Sequence, residues 1–126
     1  MTPDDRKYTK EHEWVKVDGK LGVIGITHFA QGELGDIVFL DLPRVGTRTE
    51  RTKPFGSVEA VKTVSDLYAP VTGKVVAVNE SLVSSPDLVN KDPYGKGWMV
   101  HIEMDNPNEV AQLLTADDYK KVIGLH

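Results

Sequence analysis

The chain has 126 residues, a formal net charge of −4, no cysteine, and 40% hydrophobic against 27% charged residues. That length suits a single domain able to bury its own core. The missing thiols exclude disulfides, thiolate metal sites and a cysteine nucleophile of the chain's own. The acidic balance argues against general nucleic-acid binding, and no apolar run reaches the ~18 residues of a membrane span. The stretch from Met1 to Lys7 carries acids and no apolar centre, so neither a signal peptide nor an Arg-rich transit peptide is expected there. Partners are expected to be proteins or small molecules.

Residues 1–7 read as a flexible start. Trp14-Val15-Lys16-Val17 reads as a strand with Val15 and Val17 on one face, turned by Asp18-Gly19 into a second strand, Leu21 to Ile26. The glycines of that second strand suggest close backbone approach or a bulge. Thr27 is placed to cap a short helix from His28 to Leu34, ended by Gly35. Asp36 to Leu42 is a strand stopped at Pro43, and a connection rich in Thr and Arg runs from Val45 to Phe55.

Gly56 to Asp66 then reads as two strand-like, β-branched runs around a break at Val61-Lys62, with Lys62 at or near the tip of a bend. The return strand continues through Leu67-Tyr68-Ala69 to Pro70. Thr72-Gly73 turns the chain into the strand Lys74 to Asn79. Ser85-Pro86-Asp87 opens one helical turn, Asp92-Pro93-Tyr94-Gly95 has turn chemistry, and Gly97 to Met104 is the last strand. Residues 106–124 read as a helical tail: Asn106 caps with Glu109 at capping-box spacing, and Thr115 restarts with Asp118. Short strands followed by a helical tail indicate a mainly β sandwich or barrel.

Few side chains carry chemistry by spacing alone. The histidines at 12, 28, 101 and 126 lack metal-ligand spacing, so no metal is expected. Gly22 and Gly25 lack the third glycine and the helix of a dinucleotide site. Ser57, Ser84 and Ser85 have no nucleophile-elbow context. Arg44, Arg48, Arg51 and Lys53 form a basic cluster that reads as a solvated loop, or more sharply as a docking patch for an acidic partner.

Lys62 has a more specific setting. Glu59-Ala60-Val61-Lys62-Thr63-Val64-Ser65-Asp66-Leu67-Tyr68-Ala69-Pro70 closely resembles the lipoyl-lysine segment of the glycine cleavage system H-protein family. The resemblance extends over Tyr8 to Val15, Gly25-Ile26-Thr27, Ala30-Gln31 and Leu34 to Val38. It continues through Gly73 to Val76, Val78-Asn79-Glu80, Leu88-Val89-Asn90, Asp92 to Gly95 and Gly97-Trp98-Met99.

The resemblance implies one lipoyl-carrier domain over residues 1–126, a barrel-sandwich hybrid of two antiparallel sheets with the modified lysine on a hairpin. It implies lipoate in amide linkage to Lys62, with Glu59 three residues before it and Gly73 eleven after it assisting recognition by a lipoate ligase or octanoyltransferase. It also implies a non-catalytic shuttle, expected to be monomeric, that carries an aminomethyl group from a pyridoxal-phosphate glycine decarboxylase to a tetrahydrofolate-dependent aminomethyltransferase. Electrons then pass to dihydrolipoyl dehydrogenase.

The family shelters the loaded arm in a cleft, for which Glu13, Asp66 and Glu33 are the candidates. Glu33 departs from the histidine that many members place there, and Thr49 and Thr52 stand where an apolar residue and a turn glycine are common. An H-like relay of lipoyl groups to 2-oxoacid dehydrogenases, and an unmodified interaction module, remain alternatives. A biotin carrier is disfavoured because Val61 and Thr63 replace the methionines that flank a biotinyl lysine. The expected compartment is a bacterial cytoplasm, or the mitochondrial matrix for a mature eukaryotic chain.

Overall fold

The alternating runs and their turns build two antiparallel sheets in the computed structural model, which describes residues 2–124. Met1 and His126 lie outside the described residues. The strands are β1 (Lys7–Tyr8), β2 (Glu13–Asp18), β3 (Leu21–Ile26), β4 (Ile37–Asp41), β5 (Arg48–Thr49), β6 (Pro54–Ala60), β7 (Val64–Tyr68), β8 (Gly73–Val78) and β9 (Val100–Met104). One sheet has six strands in the order β1-β2-β3-β9-β8-β5, and the other has three in the order β4-β6-β7. Short helices α1 (His28–Leu34), α2 (Ser81–Ser84), α3 (Leu88–Lys91) and α4 (Ala116–Val122) close the ends.

The core follows from strand alternation. Val15, Ile24, Val75, Val100 and Ile102 pack together from the larger sheet, and Ile37, Val58 and Leu67 from the smaller meet Ile26, Leu82, Val89 and Met99. Phe55 packs against both groups. A third cluster joins the two ends of the chain: Tyr8 stacks on Tyr119, ring centroids 4.8 Å apart, with Trp14 and Ala116 beside them. Arg6 lies over the Trp14 ring and donates to the Tyr94 carbonyl, so residues 6 and 7 of the expected flexible start are held against the body.

Several expectations are met in detail. Thr27 caps α1, its Oγ1 accepting from the Ala30 N–H at 3.1 Å, and the Gly35 N–H closes the helix on the Gln31 carbonyl. Gly25 is a site of close approach, though to a side chain: a Cβ there would lie 2.7 Å from the Trp14 ring.

Other elements differ. Val17 is exposed because it lies next to the turn of the β2–β3 hairpin, beyond the core that takes Val15. The last strand begins only at Val100, because Gly97 and Trp98 are still bonded back to Asp92 and Gly95. The tail is interrupted between its Asn106 start and the expected restart at Thr115. Pro107–Gln112 is a 3-10 helix, after which Leu114 pairs with Tyr8 as an isolated bridge, and α4 starts anew from Thr115. Glu109 does not complete a capping box at Asn106; its carboxylate accepts from the Thr72 N–H at 2.8 Å and pins the turn before β8.

The Thr-rich connection holds β5 and the beginning of β6. Thr49 is buried where an apolar side chain was the expectation, and its hydroxyl donates to the carbonyls of Val71 and Gly73. Thr52 has φ +75°, the left-handed region that a turn glycine adopts freely and a β-branched residue resists. Thr52→Gly should therefore raise the melting temperature by about 2–4 °C, read by thermal denaturation, because relief of strain exceeds the added freedom of the unfolded chain.

Candidate functional site

Two strands and one turn determine where Lys62 stands. In the β6–β7 hairpin Glu59 pairs with Val64 and Ser57 with Asp66, and the Ala60 N–H donates to the Thr63 carbonyl at 2.8 Å to close the turn. The Val61 N–H donates to the Asp36 carbonyl at 3.0 Å, fastening the tip to the segment after α1. Lys62 is exposed at this fixed tip, and its ammonium enters no ion pair or hydrogen bond among the described residues. Its stem lies back over Gly35, where an added Cβ would be 3.5 Å from Cε.

The flanking candidates occupy opposite environments. Glu59 is exposed on the outer face of the hairpin, where an approaching protein can touch it. Gly73 is buried at the start of β8 between β5 and β9, where a Cβ would sit 2.7 Å from Ile102 Cγ2 and closer still to the Glu103 carbonyl oxygen. Packing alone demands glycine there.

A cleft of about 470 Å³ opens between β7, the segment before β2 and the chain that follows the 3-10 helix, lined among others by Tyr8, Thr9, Glu13, Tyr68 and Leu114. Glu13 is only 2% exposed. Its carboxyl accepts from Thr9 Oγ1 at 2.6 Å and from the Tyr68 N–H at 3.3 Å. Burial pushes Glu13 up to about 8, against the pull of both hydrogen bonds, so the group carries its proton at neutral pH.

Of the three cleft candidates, Glu13 alone lines this space. Asp66 is exposed on β7, on the same face as Tyr68 by strand alternation, and so lies along the surface between Lys62 and the cleft. Glu33 is exposed on α1, where its charge is felt by His12. Thr9 and Tyr68 were not singled out in the sequence, yet both bond Glu13. Thr9 lies four residues upstream of Glu13, and Tyr68 is the next residue after Asp66 on its face of β7. Of the basic cluster, Arg48 pairs with Asp105 and Arg51 donates to Gln112, while Arg44 and Lys53 are exposed, in keeping with a solvated loop.

Glu13 makes stability depend on pH. Its folded value lies above the usual 4.5, so the native state holds a proton that the unfolded chain has lost, and stability falls as pH rises from about 4.5 to about 8. Glu13→Gln should flatten that slope and add a few kcal/mol at pH 9, at about 1.4 kcal/mol per pH unit, in urea denaturation from pH 5 to 9. A slope identical to that of the parent chain contradicts this reading of Glu13.

Two sheets that present an unpaired amine on a fixed hairpin, with a cleft along the same face, have the form that a carrier of a covalently attached arm requires. No helix among the described residues is long and apolar enough to cross a membrane. Residues 6–125 match the family model described as "Glycine cleavage H-protein". The chain is similar to the glycine cleavage system H protein of Carboxydothermus hydrogenoformans, 58% identical over 98% of this chain and 95% of that one. It is also similar to the H protein of Bacillus cereus strain B4264, 60% identical over 95% of this chain and 94% of the other. A crystal structure of a glycine cleavage system H protein from Mycobacterium marinum superposes with a TM-score of 0.90 at 41% identity, covering 98% of this chain and 99% of that one. The chain belongs to the glycine cleavage H-protein family, and with that membership goes a lipoyl-carrier role in glycine cleavage.

Proposed function

We propose that Lys62 is the lipoyl attachment site and that the protein is a non-catalytic shuttle among the enzymes of glycine cleavage. The supporting observation is the fixed turn that isolates one free amine, held by the Ala60–Thr63 and Val61–Asp36 bonds. The attaching enzyme is a lipoate ligase or octanoyltransferase. The arm's successive hosts are glycine decarboxylase, the aminomethyltransferase and dihydrolipoyl dehydrogenase, in a bacterial cytoplasm. When attached, the lipoyl group supplies a disulfide that takes up the aminomethyl group of decarboxylated glycine and a dithiol that is later reoxidised.

The chain's own residues fit such an arm and hold it in useful places. Amide formation removes the one charge at the tip, and the stiff turn keeps the arm's local concentration high at whichever enzyme has docked. Val64, Asp66 and Tyr68 share one strand face and cover about 13 Å of surface toward the cleft. At its end Glu13 holds a proton while the cleft is empty, and an ammonium brought beside it favours the carboxylate, so the proton leaves and an ion pair shelters the cargo. Asp66 assists from the surface. Glu33, on α1, adds negative charge in place of the histidine common in the family.

The test is reconstitution of the lipoylated protein with the three purified enzymes, glycine and tetrahydrofolate. Glycine-dependent ammonia release that requires this protein is the expected result. No release with fully lipoylated protein and active partner enzymes contradicts the proposal.

A further inference from the structure

The three-stranded sheet turns one face to the core and leaves the other bare, and its register makes that outer face ordered. Phe39 pairs with Glu59, which pairs with Val64, so these side chains stand in one row across β4, β6 and β7. Phe39 is 56% exposed and Val64 62%. The adjacent row on the same face is Asp41, Ser57 and Asp66. Val61, 75% exposed, adds an apolar side chain at the tip beside Lys62. None of Glu59, Asp41 or Asp66 enters an ion pair with a side chain of the described residues.

Three observations identify what covers this face. It is continuous with Lys62, so a protein whose active site closes on that amine overlaps it. Its apolar row is divided and bordered by unpaired carboxylates, which selects a partner with an apolar groove rimmed by Arg or Lys. Phe39 and Val64 are held by strands on either side of β6, so the row is rigid before docking and little ordering cost is incurred. The structure assigns the Phe39–Glu59–Val64 row as the docking surface for the enzyme that acylates Lys62, with Phe39 as its apolar anchor and Glu59, Asp41 and Asp66 as its electrostatic guides. This rests on Lys62 being the acylated residue, and it adds that β4, remote in sequence from the hairpin, is read together with it.

The experiment is steady-state lipoylation of the full chain by purified lipoate ligase with lipoate and ATP, followed by intact mass. Phe39→Thr should raise KM for the protein about tenfold, with kcat and melting temperature unchanged. Phe39→Tyr, which keeps the ring, should restore KM. Val45→Thr, at an exposed valine on the Thr-rich connection, should have no effect. Raising salt should raise KM for the parent chain and do so less for a Glu59→Gln, Asp41→Asn double variant.

A parent-like KM for Phe39→Thr on a chain that is acylated at Lys62 overturns the docking face while leaving the attachment site intact. Failure of the parent chain to be acylated at Lys62 overturns both. A concentration-dependent dimer in sedimentation velocity that Phe39→Thr dissolves assigns the face to a second copy of this chain, and also overturns the proposal.

Discussion

Lys62→Arg yields a folded chain that gains no lipoyl mass. Acyl transfer requires a neutral amine, and a guanidinium stays protonated with a pKa above about 12. The substitution keeps length and charge at a position that is exposed and makes no ion pair, so stability should change by less than about 0.5 kcal/mol. Intact mass after incubation with lipoate ligase, lipoate and ATP should show one lipoyl addition on the parent chain and none on the variant, with superimposable thermal melts. A lipoyl addition to the variant moves the site to another lysine. That outcome runs against the geometry, because Lys62 is the lysine that the Ala60–Thr63 turn and the Val61–Asp36 bond hold at the hairpin tip.

That turn was legible in the sequence because alternation fails at Val61-Lys62 between β-branched runs. The β2–β3 hairpin and the caps of α1 were legible for the same reason: their determinants lie within a few residues of one another. β1 and β5 were not, since each is two residues long and is defined by a distant partner, Lys7 by Val15 and Arg48 by Lys74. In the tail the restart at Thr115 was legible from its own cap, but nothing local shows Leu114 being drawn into a bridge with Tyr8. The cleft was the least legible. Glu13 was a candidate by resemblance alone, whereas Thr9 bonds it across the turn before β2 and Tyr68 reaches it from the other sheet. Asp66 and Glu33 stand outside the space that Glu13 lines.

Gly73 carries the second large effect, and its burial changes how the residue is understood. A glycine that assists lipoylation suggests a mark read by the attaching enzyme, yet Gly73 is covered on both sides by β5 and β9. Gly73→Ala would set a methyl group against the Glu103 carbonyl and 2.7 Å from Ile102 Cγ2. The carbonyl belongs to the β8–β9 ladder, so relief means opening backbone hydrogen bonds, at a cost of about 3 kcal/mol and a drop of about 10 °C in melting temperature. The strain would spread through Thr49, which bonds the Val71 and Gly73 carbonyls, to the end of β7, where the Ala69 carbonyl accepts from Thr52. Lipoylation at 20 °C, where the variant is still folded, should then stay near the parent rate and fail only as the melt is approached. Glu59→Gln should behave in the opposite way, leaving the melt unchanged and slowing lipoylation, because Glu59 is exposed beside the hairpin tip. A Gly73→Ala chain that melts like the parent yet resists lipoylation would show that the enzyme senses this position directly, and the packing account would fall.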